Sequence, residues 1–76
     1  MKDLLIRIAQ ELVDDPKQVQ VAEIETANTV VLELRVAKSD VGKIIGKHGR
    51  TANAIRVVLN AVSGKAQKRY LLEILD

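Results

Sequence analysis

The chain begins with apolar residues at helical spacing and continues with alternating apolar and polar residues. Residues 3–14 repeat apolar side chains every three or four positions, which predicts an amphipathic helix. Asp14 and Asp15 precede Pro16, and they end this helix because a residue before proline is pushed out of the helical region. Residues 18–26 alternate imperfectly, which predicts a strand that accommodates a bulge.

A second strand is predicted over residues 29–36, where the alternation has a period of two. Between the strands, Ala27-Asn28 predicts a two-residue turn, since Asn can adopt a positive φ. The two strands should therefore pair as an antiparallel hairpin whose apolar face is directed at the helices. The residues on that face of the second strand are Val30, Leu32, Leu34 and Val36.

Two helices and a third strand follow the hairpin. Ser39 or Asp40 should cap a short helix that ends at Ile45, with its side-chain oxygen accepting a free N–H. A longer helix should run from about Arg50 to Gly64, since glycine commonly follows a helix end. Alternation over residues 67–75 predicts the third strand, which gives an α+β chain of order α-β-β-α-α-β. The inner stripe of the longer helix is predicted to be Ala52, Ile55, Leu59 and Val62.

Composition excludes several classes of function. The 76 residues are expected to form one domain, residues 1–76, too small for a deep enclosed active site. Tyr70 is the only aromatic residue, so stacking on aromatic platforms cannot be the main way of binding a nucleic acid. With no cysteine and one histidine, neither a metal site nor a nucleophile–base pair is recognisable, so no enzyme and no cofactor is expected. Asp14 and Asp15 are expected to be structural or solvated rather than catalytic.

The apolar runs are short. None approaches the roughly 20 residues needed to span a bilayer. Met1 to Leu5 also lack the apolar core of a signal peptide ahead of the first acidic residue. We therefore expect a soluble, cytoplasmic protein.

Charge is distributed unequally along the chain, although the net charge is only +2. Residues 1–34 hold three cations against seven carboxylates, whereas residues 35–69 hold nine cations against the single Asp40. A basic half of this kind is typical of a nucleic-acid surface, and the modest total favours weak or transient binding. Each basic side chain taken alone is more often a solvated helix surface than a nucleic-acid contact.

The segment Gly46-Lys47-His48-Gly49 stands between the two predicted helices of the basic half. Gly46 and Gly49 allow conformations closed to other residues and let another backbone come close. The free N–H groups and the positive dipole end of the following helix lie beside Lys47, His48 and Arg50. This combination suits an anionic backbone such as phosphate.

With Ile44-Ile45 before the turn and Ile55 after it, the segment resembles the RNA-binding motif of KH domains. In those domains a Gly-x-x-Gly loop clamps the backbone of about four single-stranded nucleotides. The predicted element order matches the type II KH fold of bacteria, with helices on one face of a three-stranded mixed sheet, so the resemblance covers the whole chain. The chain is most similar to small stand-alone bacterial KH proteins of the KhpA family.

The family resemblance implies a cellular role that the residues themselves do not specify. It implies an RNA chaperone or post-transcriptional regulator that binds single-stranded RNA. It also implies a homodimer, or a heterodimer with a larger partner, KhpB, which carries a KH domain and a second nucleic-acid-binding domain. Control of cell-wall synthesis and cell length is linked to that pair.

The resemblance also assigns roles around the turn. Gly46, Lys47, His48 and Gly49 match the loop, with Lys47 contacting phosphate and His48 hydrogen-bonding phosphate or sugar. Ala52 stands where many KH motifs have a large aliphatic residue, which implies a wider or shallower groove. The isoleucines form either core or an apolar floor for bases, and further basic residues are either secondary phosphate contacts or solvated surface. The isoleucines are Ile44, Ile45 and Ile55. The further basic residues are Lys43, Arg50 and Arg56.

Two other readings of the pattern remain open at this point. Residues 40–45, the turn and residues 51–62 fit the spacing of a DNA-binding helix-turn-helix, although the second helix offers few long polar side chains for base edges. A protein-interaction module is the other reading. Apolar residues on the strand faces opposite the predicted core would then mark a subunit interface, and these are Val31, Leu71 and Leu75.

Overall fold

A computed structural model describes residues 1–64 and 68–75 of the chain. Three helices span Lys2–Leu12 (α1), Val41–Ile45 (α2) and Arg50–Val62 (α3). Three strands span Gln20–Glu25 (β1), Thr29–Arg35 (β2) and Arg69–Leu75 (β3). The order α1-β1-β2-α2-α3-β3 and the mixed sheet confirm the predicted α+β fold.

The first two elements are shorter than predicted. Helix α1 ends at Leu12, and Val13 is already extended and buried, so the chain leaves the helix before Asp14. A 3-10 turn occupies Pro16–Gln18, where the proline ring fixes φ, and the strand starts only at Gln20. Strand β1 pairs with β2 in continuous register and contains no bulge. The predicted start of the third strand, Gln67, lies outside the described residues.

The sheet has the order β1-β2-β3, with β1 antiparallel and β3 parallel to the central strand. The predicted hairpin and its two-residue turn are confirmed. Thr26 N–H donates to the Thr29 carbonyl at 2.8 Å, and Thr29 N–H donates to Thr26 Oγ1 at 3.1 Å. Asn28 does not use a positive φ, since His48 is the only described non-glycine residue that has one. The threonine side chain fixes this turn instead.

An aliphatic core lies between one face of the sheet and the helices. The strand residues of the predicted inner face are buried, which confirms the period of two on β2. Each fully buried aliphatic side chain contributes roughly 1.5–3 kcal/mol to folding. The other face of the sheet, which we call the open face, leaves Leu71 42% exposed. Core residues include Leu5, Ala9, Val30, Leu32, Leu34, Ile44, Ile55, Leu59 and Leu72.

Helix α3 is fixed to the edge strand by one side-chain amide. Asn60 Nδ2 donates to the Tyr70 carbonyl, and Asn60 Oδ1 accepts the Tyr70 N–H, each at 3.2 Å. These bonds satisfy backbone groups at the free edge of β3. The same helix is therefore held in place at its end farthest from the glycine turn.

One prediction for the inner stripe of α3 is wrong. Ala52, Ile55 and Leu59 are buried, but Val62 is 60% exposed. Helical spacing determines which face a residue shares, but not how far along the helix the neighbouring elements extend. Within the part of the chain that the structure describes, no helix is long and apolar enough to cross a membrane.

Candidate nucleic-acid interface

The turn between α2 and α3 has an unusual backbone. Gly46, His48 and Gly49 have φ values of 75°, 58° and 73°. This region is open to glycine and is visited by histidine more readily than by most residues. Gly46 N–H donates to the Gly42 carbonyl at 2.8 Å and ends α2, and Gly49 N–H donates to the Gly46 carbonyl at 3.1 Å. The prediction that the glycines give the turn conformations closed to other residues is confirmed for Gly46, with φ 75° and ψ 171°, whereas Gly49 has the left-handed conformation that His48 also adopts.

Positive charge collects at this turn. Lys47, His48 and Arg50 are all exposed. Gly49 precedes the first residue of α3, and no side chain caps the helix there. The first N–H groups of a 13-residue helix therefore have no side-chain acceptor, and the helix dipole adds positive potential. The turn can attract an anion such as phosphate.

Two other predicted contacts lie elsewhere. Lys43 Nζ lies 2.8 Å from Asp14 Oδ2 and 3.6 Å from Asp40 Oδ1, so its charge is partly neutralised within the protein. The hydrogen bond and charge of Asp14 raise the pKa of Lys43 above its ordinary value. Arg56 is exposed on α3 and lies about 150° around the helix from the stripe that includes Thr51. The turn thus brings together Lys47, His48 and Arg50, but not these two residues.

Asp40 does not cap α2, contrary to the sequence prediction. Its carboxylate is 1% exposed, and no side chain caps the helix. Asp40 Oδ1 accepts the N–H of Asp14 at 3.2 Å, and Oδ2 accepts the N–H of Asp15 at 3.1 Å. Burial alone would raise the pKa of Asp40, but these two hydrogen bonds and Lys43 together hold the pKa below its ordinary value. Asp14 and Asp15 thus have the predicted structural role through their backbone N–H groups, and Asp14 also through the pair of its side chain with Lys43.

An apolar groove of about 320 Å³ separates α1 from α3. One end of the groove is at Thr51, the residue after Arg50. A Cβ on Gly46 would overlap Thr51, so the turn and the groove meet at this threonine. Sequence reasoning expected an apolar groove near the turn but missed its wall on α1, because no local pattern shows that α1 lies beside α3. Its lining residues are Ile8, Leu12, Thr51, Ala54, Ile55 and Val58.

The isoleucines near the turn separate into two groups. Ile44 is fully buried, and Ile55 is 4% exposed with an edge in the groove wall, so both are core residues. Ile45 is 40% exposed at the end of α2 and does not line the groove. Ala52 is 4% exposed and belongs to the interior, so the expectation that it widens the groove is wrong. Its small side chain instead faces inward from α3.

The helix-turn-helix interpretation gains no support from the exposed side of α3. Helix α2 has only five residues. The surface of the following helix carries Val57, Val58 and Val62, which are 61%, 42% and 60% exposed, and only a few exposed polar side chains such as Asn53 and Arg56. Valine offers no hydrogen bond to base edges in a major groove.

Comparison with known proteins gives a consistent result. The family model for the KH domain of KhpA/KhpB matches residues 2–74. RNA-binding protein KhpA from Clostridium acetobutylicum is 51% identical over 75 residues, which make up 99% of this chain and 100% of that protein. The proteins of the same name from Aquifex aeolicus and Chlamydia trachomatis are 50% and 46% identical over 76 residues, which cover 100% of this chain and 96% and 97% of theirs. No solved structure gives a significant match. On the match over residues 2–74 and these full-length identities, the chain belongs to the KhpA/KhpB family of KH domains.

Proposed function

We propose that this protein binds single-stranded RNA through the turn Gly46–Gly49 and the adjoining apolar groove. The observation that carries the proposal is the junction at Thr51, which lies against Gly46 and also forms one end of the groove. A single-stranded RNA whose phosphates lie at the turn would have its bases along the groove. The names of the relatives, RNA-binding protein KhpA, support the same choice of ligand.

The phosphate side of this interface consists of charge and free N–H groups. Lys47 contacts a phosphate as a point charge, while His48 donates a hydrogen bond to phosphate or sugar. Arg50 adds a second permanent cation, and the uncapped N-terminus of α3 supplies backbone donors. These groups hold the strand irrespective of its sequence, because every nucleotide has the same phosphate.

The base side of the interface is aliphatic. Tyr70, the only aromatic residue, packs against the core from β3, so it is not a stacking platform in the groove. Aliphatic walls contact base faces without reading their edges. We therefore expect broad binding of single strands in the micromolar range or weaker. A tight, sequence-selective hairpin binder in a direct assay would contradict this expectation.

We place this activity in the cytoplasm, where the protein acts as an RNA chaperone or post-transcriptional regulator. It works as a homodimer or with the larger KH-containing protein KhpB. Val57 and Val62 on α3 are about three-fifths exposed, which supports self-association through this helix. A dimer joins two weak RNA sites and raises the effective concentration of the second. Control of cell wall and cell length stays a prediction of the family resemblance.

The test is fluorescence anisotropy with labelled single-stranded RNA and duplex DNA of equal length. The variant Lys47→Asp, His48→Asp places two carboxylates in the exposed turn. Its matched control is Lys2→Asp, Gln10→Asp, which changes the charge by the same amount at exposed positions of α1. Circular dichroism checks that both variants are folded.

Four results support the proposal when they occur together. Wild-type binding to RNA weakens with salt, the turn variant loses RNA binding, and the control variant keeps it. Duplex DNA binds poorly to all three proteins. If the turn variant binds RNA as well as wild type does, the turn is only a connector between helices and the protein-interaction reading takes its place.

A further inference from the structure

We propose that Asp40, with Lys43 and Asp14, fixes the orientation of the Gly46–Gly49 turn, so that these three are positioning residues. We call this group the acidic clasp. Asp40 binds the N–H groups of Asp14 and Asp15 at 3.2 and 3.1 Å, across 26 and 25 positions of sequence. Lys43 then spans Asp14 at 2.8 Å and Asp40 at 3.6 Å. The inference rests on the proposed function only in the test that measures RNA affinity.

Helix α2 needs such an anchor because it is short. Its five residues, Val41–Ile45, are far fewer than an isolated helix requires, and no side chain caps its start. Ile44 is buried in the core and Val41 packs against it, so apolar contacts hold one face of α2, but they are not directional. Asp40 adds a second fixed point at the opposite end from the turn. With both points held, the direction in which Gly46 leaves α2 is determined.

The buried carboxylate of Asp40 is fully partnered. An unpaired carboxylate at 1% exposure would be very costly, whereas here each oxygen accepts one backbone N–H. No buried side-chain polar atom among the described residues lacks a partner. The hydrogen bonds are therefore the strong part of the clasp. The Lys43–Asp14 pair contributes less, since the Asp14 side chain is 78% exposed and its pair is screened by water.

Lys43 has a different role in this arrangement from Lys47. Two carboxylates face its single ammonium, so the local charge is negative and Lys43 attracts phosphate weakly. Removing Lys43 should then weaken RNA binding through the geometry of the turn, without removing a phosphate contact. Loss of turn geometry and loss of a phosphate contact differ in their salt dependence. Log affinity falls as log salt rises, and each lost phosphate contact on a single strand makes this fall less steep by about 0.7.

The first test needs no RNA. Backbone amide shifts and hydrogen exchange of residues 46–50 are compared in wild type, Lys43→Met and Asp40→Asn. Lys38→Met is the matched control. Lys38 is exposed, and it lies three residues before Val41, the first residue of α2. Its substitution removes the same charge as Lys43→Met. In the asparagine variant the amide NH₂ faces one of the two backbone donors, so one hydrogen bond is lost. We expect the turn signals to move in the two clasp variants and to stay unchanged in the control.

The second test measures RNA affinity at several salt concentrations. Lys43→Met and Asp14→Ala should each bind single-stranded RNA about fivefold more weakly, which is the lower end of the affinity changes produced by coupling between two sites. Their salt slopes should equal that of wild type. Lys47→Met should lower the slope by about 0.7. The proposal is overturned if Lys43→Met lowers the slope as Lys47→Met does and Asp14→Ala tightens binding, because Lys43 would then contact phosphate directly.

The two tests separate this inference from the proposed function. If wild type binds no RNA, the proposed function fails, and the turn signals of the clasp variants still decide the positioning role. If turn signals in Lys43→Met and Asp40→Asn match those of wild type, the clasp does not position the turn, whatever the RNA affinities are.

Discussion

Gly46 and Thr51 are in such close contact that no side chain fits between them. A Cβ on Gly46 would lie 2.2 Å from Thr51 Oγ1, 2.7 Å from Thr51 Cβ and 2.8 Å from the Thr51 backbone nitrogen. Gly46 also has a φ of 75°. The glycine is therefore required twice, by space and by backbone conformation.

The first prediction concerns Gly46→Ala. The new methyl group meets backbone and Cβ atoms that cannot rotate away, and a positive φ adds about 1–2 kcal/mol for alanine. We expect the free energy of unfolding to fall by about 2–4 kcal/mol, which urea denaturation measures. Thr51→Ala should not rescue the variant, since it removes only the Oγ1 contact.

Gly42→Ala is the control for that experiment. A Cβ on Gly42 meets nothing within 4 Å, and Gly42 lies within α2. Alanine there should stabilise the protein by about 0.5–1 kcal/mol, because glycine is the poorer helix residue. Equal losses of stability at Gly42 and Gly46 would show that the contact with Thr51 does not govern the turn.

The second prediction separates folding from binding at Gly49. A Cβ at this position meets nothing within 4 Å, so only its φ of 73° opposes alanine. Gly49→Ala should cost about 1–2 kcal/mol of stability and remain folded. Because the added methyl group would occupy space beside the proposed phosphate position, RNA affinity should fall about tenfold in anisotropy. Unchanged affinity in the folded variant would place the RNA backbone away from Gly49.

The glycine turn was accessible from sequence, whereas the partners of Asp40 were not. A Gly-x-x-Gly turn between apolar helical repeats identifies its own backbone, because positive φ is a local property. Asp40 looked like a helix cap, since Asp before a helix usually is one. Its actual partners are 25 and 26 positions away, and only the packing of the chain after α1 against α2 brings them together.

The wall that α1 contributes to the groove and the exposed part of α3 were missed for a related reason. Apolar spacing identified one face of each helix, and Ile55 was correctly assigned to such a face. The gap between two helices depends on their separation and crossing, which no single helical pattern encodes. Val62 belongs to the same helical stripe as Ile55, yet it lies beyond the reach of the core.

The third prediction concerns stability in acid. Since the folded pKa of Asp40 lies below its ordinary value of 3.8, the carboxylate stabilises the fold above that pH. This contribution is lost as the pH falls through the folded pKa. Urea denaturation of wild type and Asp40→Asn should therefore show a stability difference near neutral pH that shrinks below about pH 3.8. Lys43 and Asp14 are the charged groups facing Asp40, and Lys43 helps to lower its pKa, so Lys43→Met should raise the folded pKa and let this loss finish at a higher pH.

A difference between wild type and Asp40→Asn that stays constant down to about pH 3 would contradict this assignment, because Asp40 would then have the same pKa in the folded and unfolded states.

The fourth prediction concerns self-association. Val62→Glu places a charge at an exposed apolar position of α3, and it should weaken the proposed dimer about tenfold or more in sedimentation equilibrium, since burying an unpaired charge is unfavourable. Leu71→Glu is the matched change on the open face of the sheet, where Leu71 is 42% exposed. We expect it to leave the dimer intact. The reverse outcome would assign the interface to the open face.

The most direct measurement of the central claim is a titration of the ¹⁵N-labelled protein with single-stranded RNA, followed by amide chemical shifts. The account predicts that the largest shifts occur at Gly46–Arg50 and continue through Thr51 to Val58 and Leu12, along the turn and the groove. Shifts confined to the open face, around Val31 and Leu71, would contradict it. That result would separate RNA binding from the glycine turn altogether.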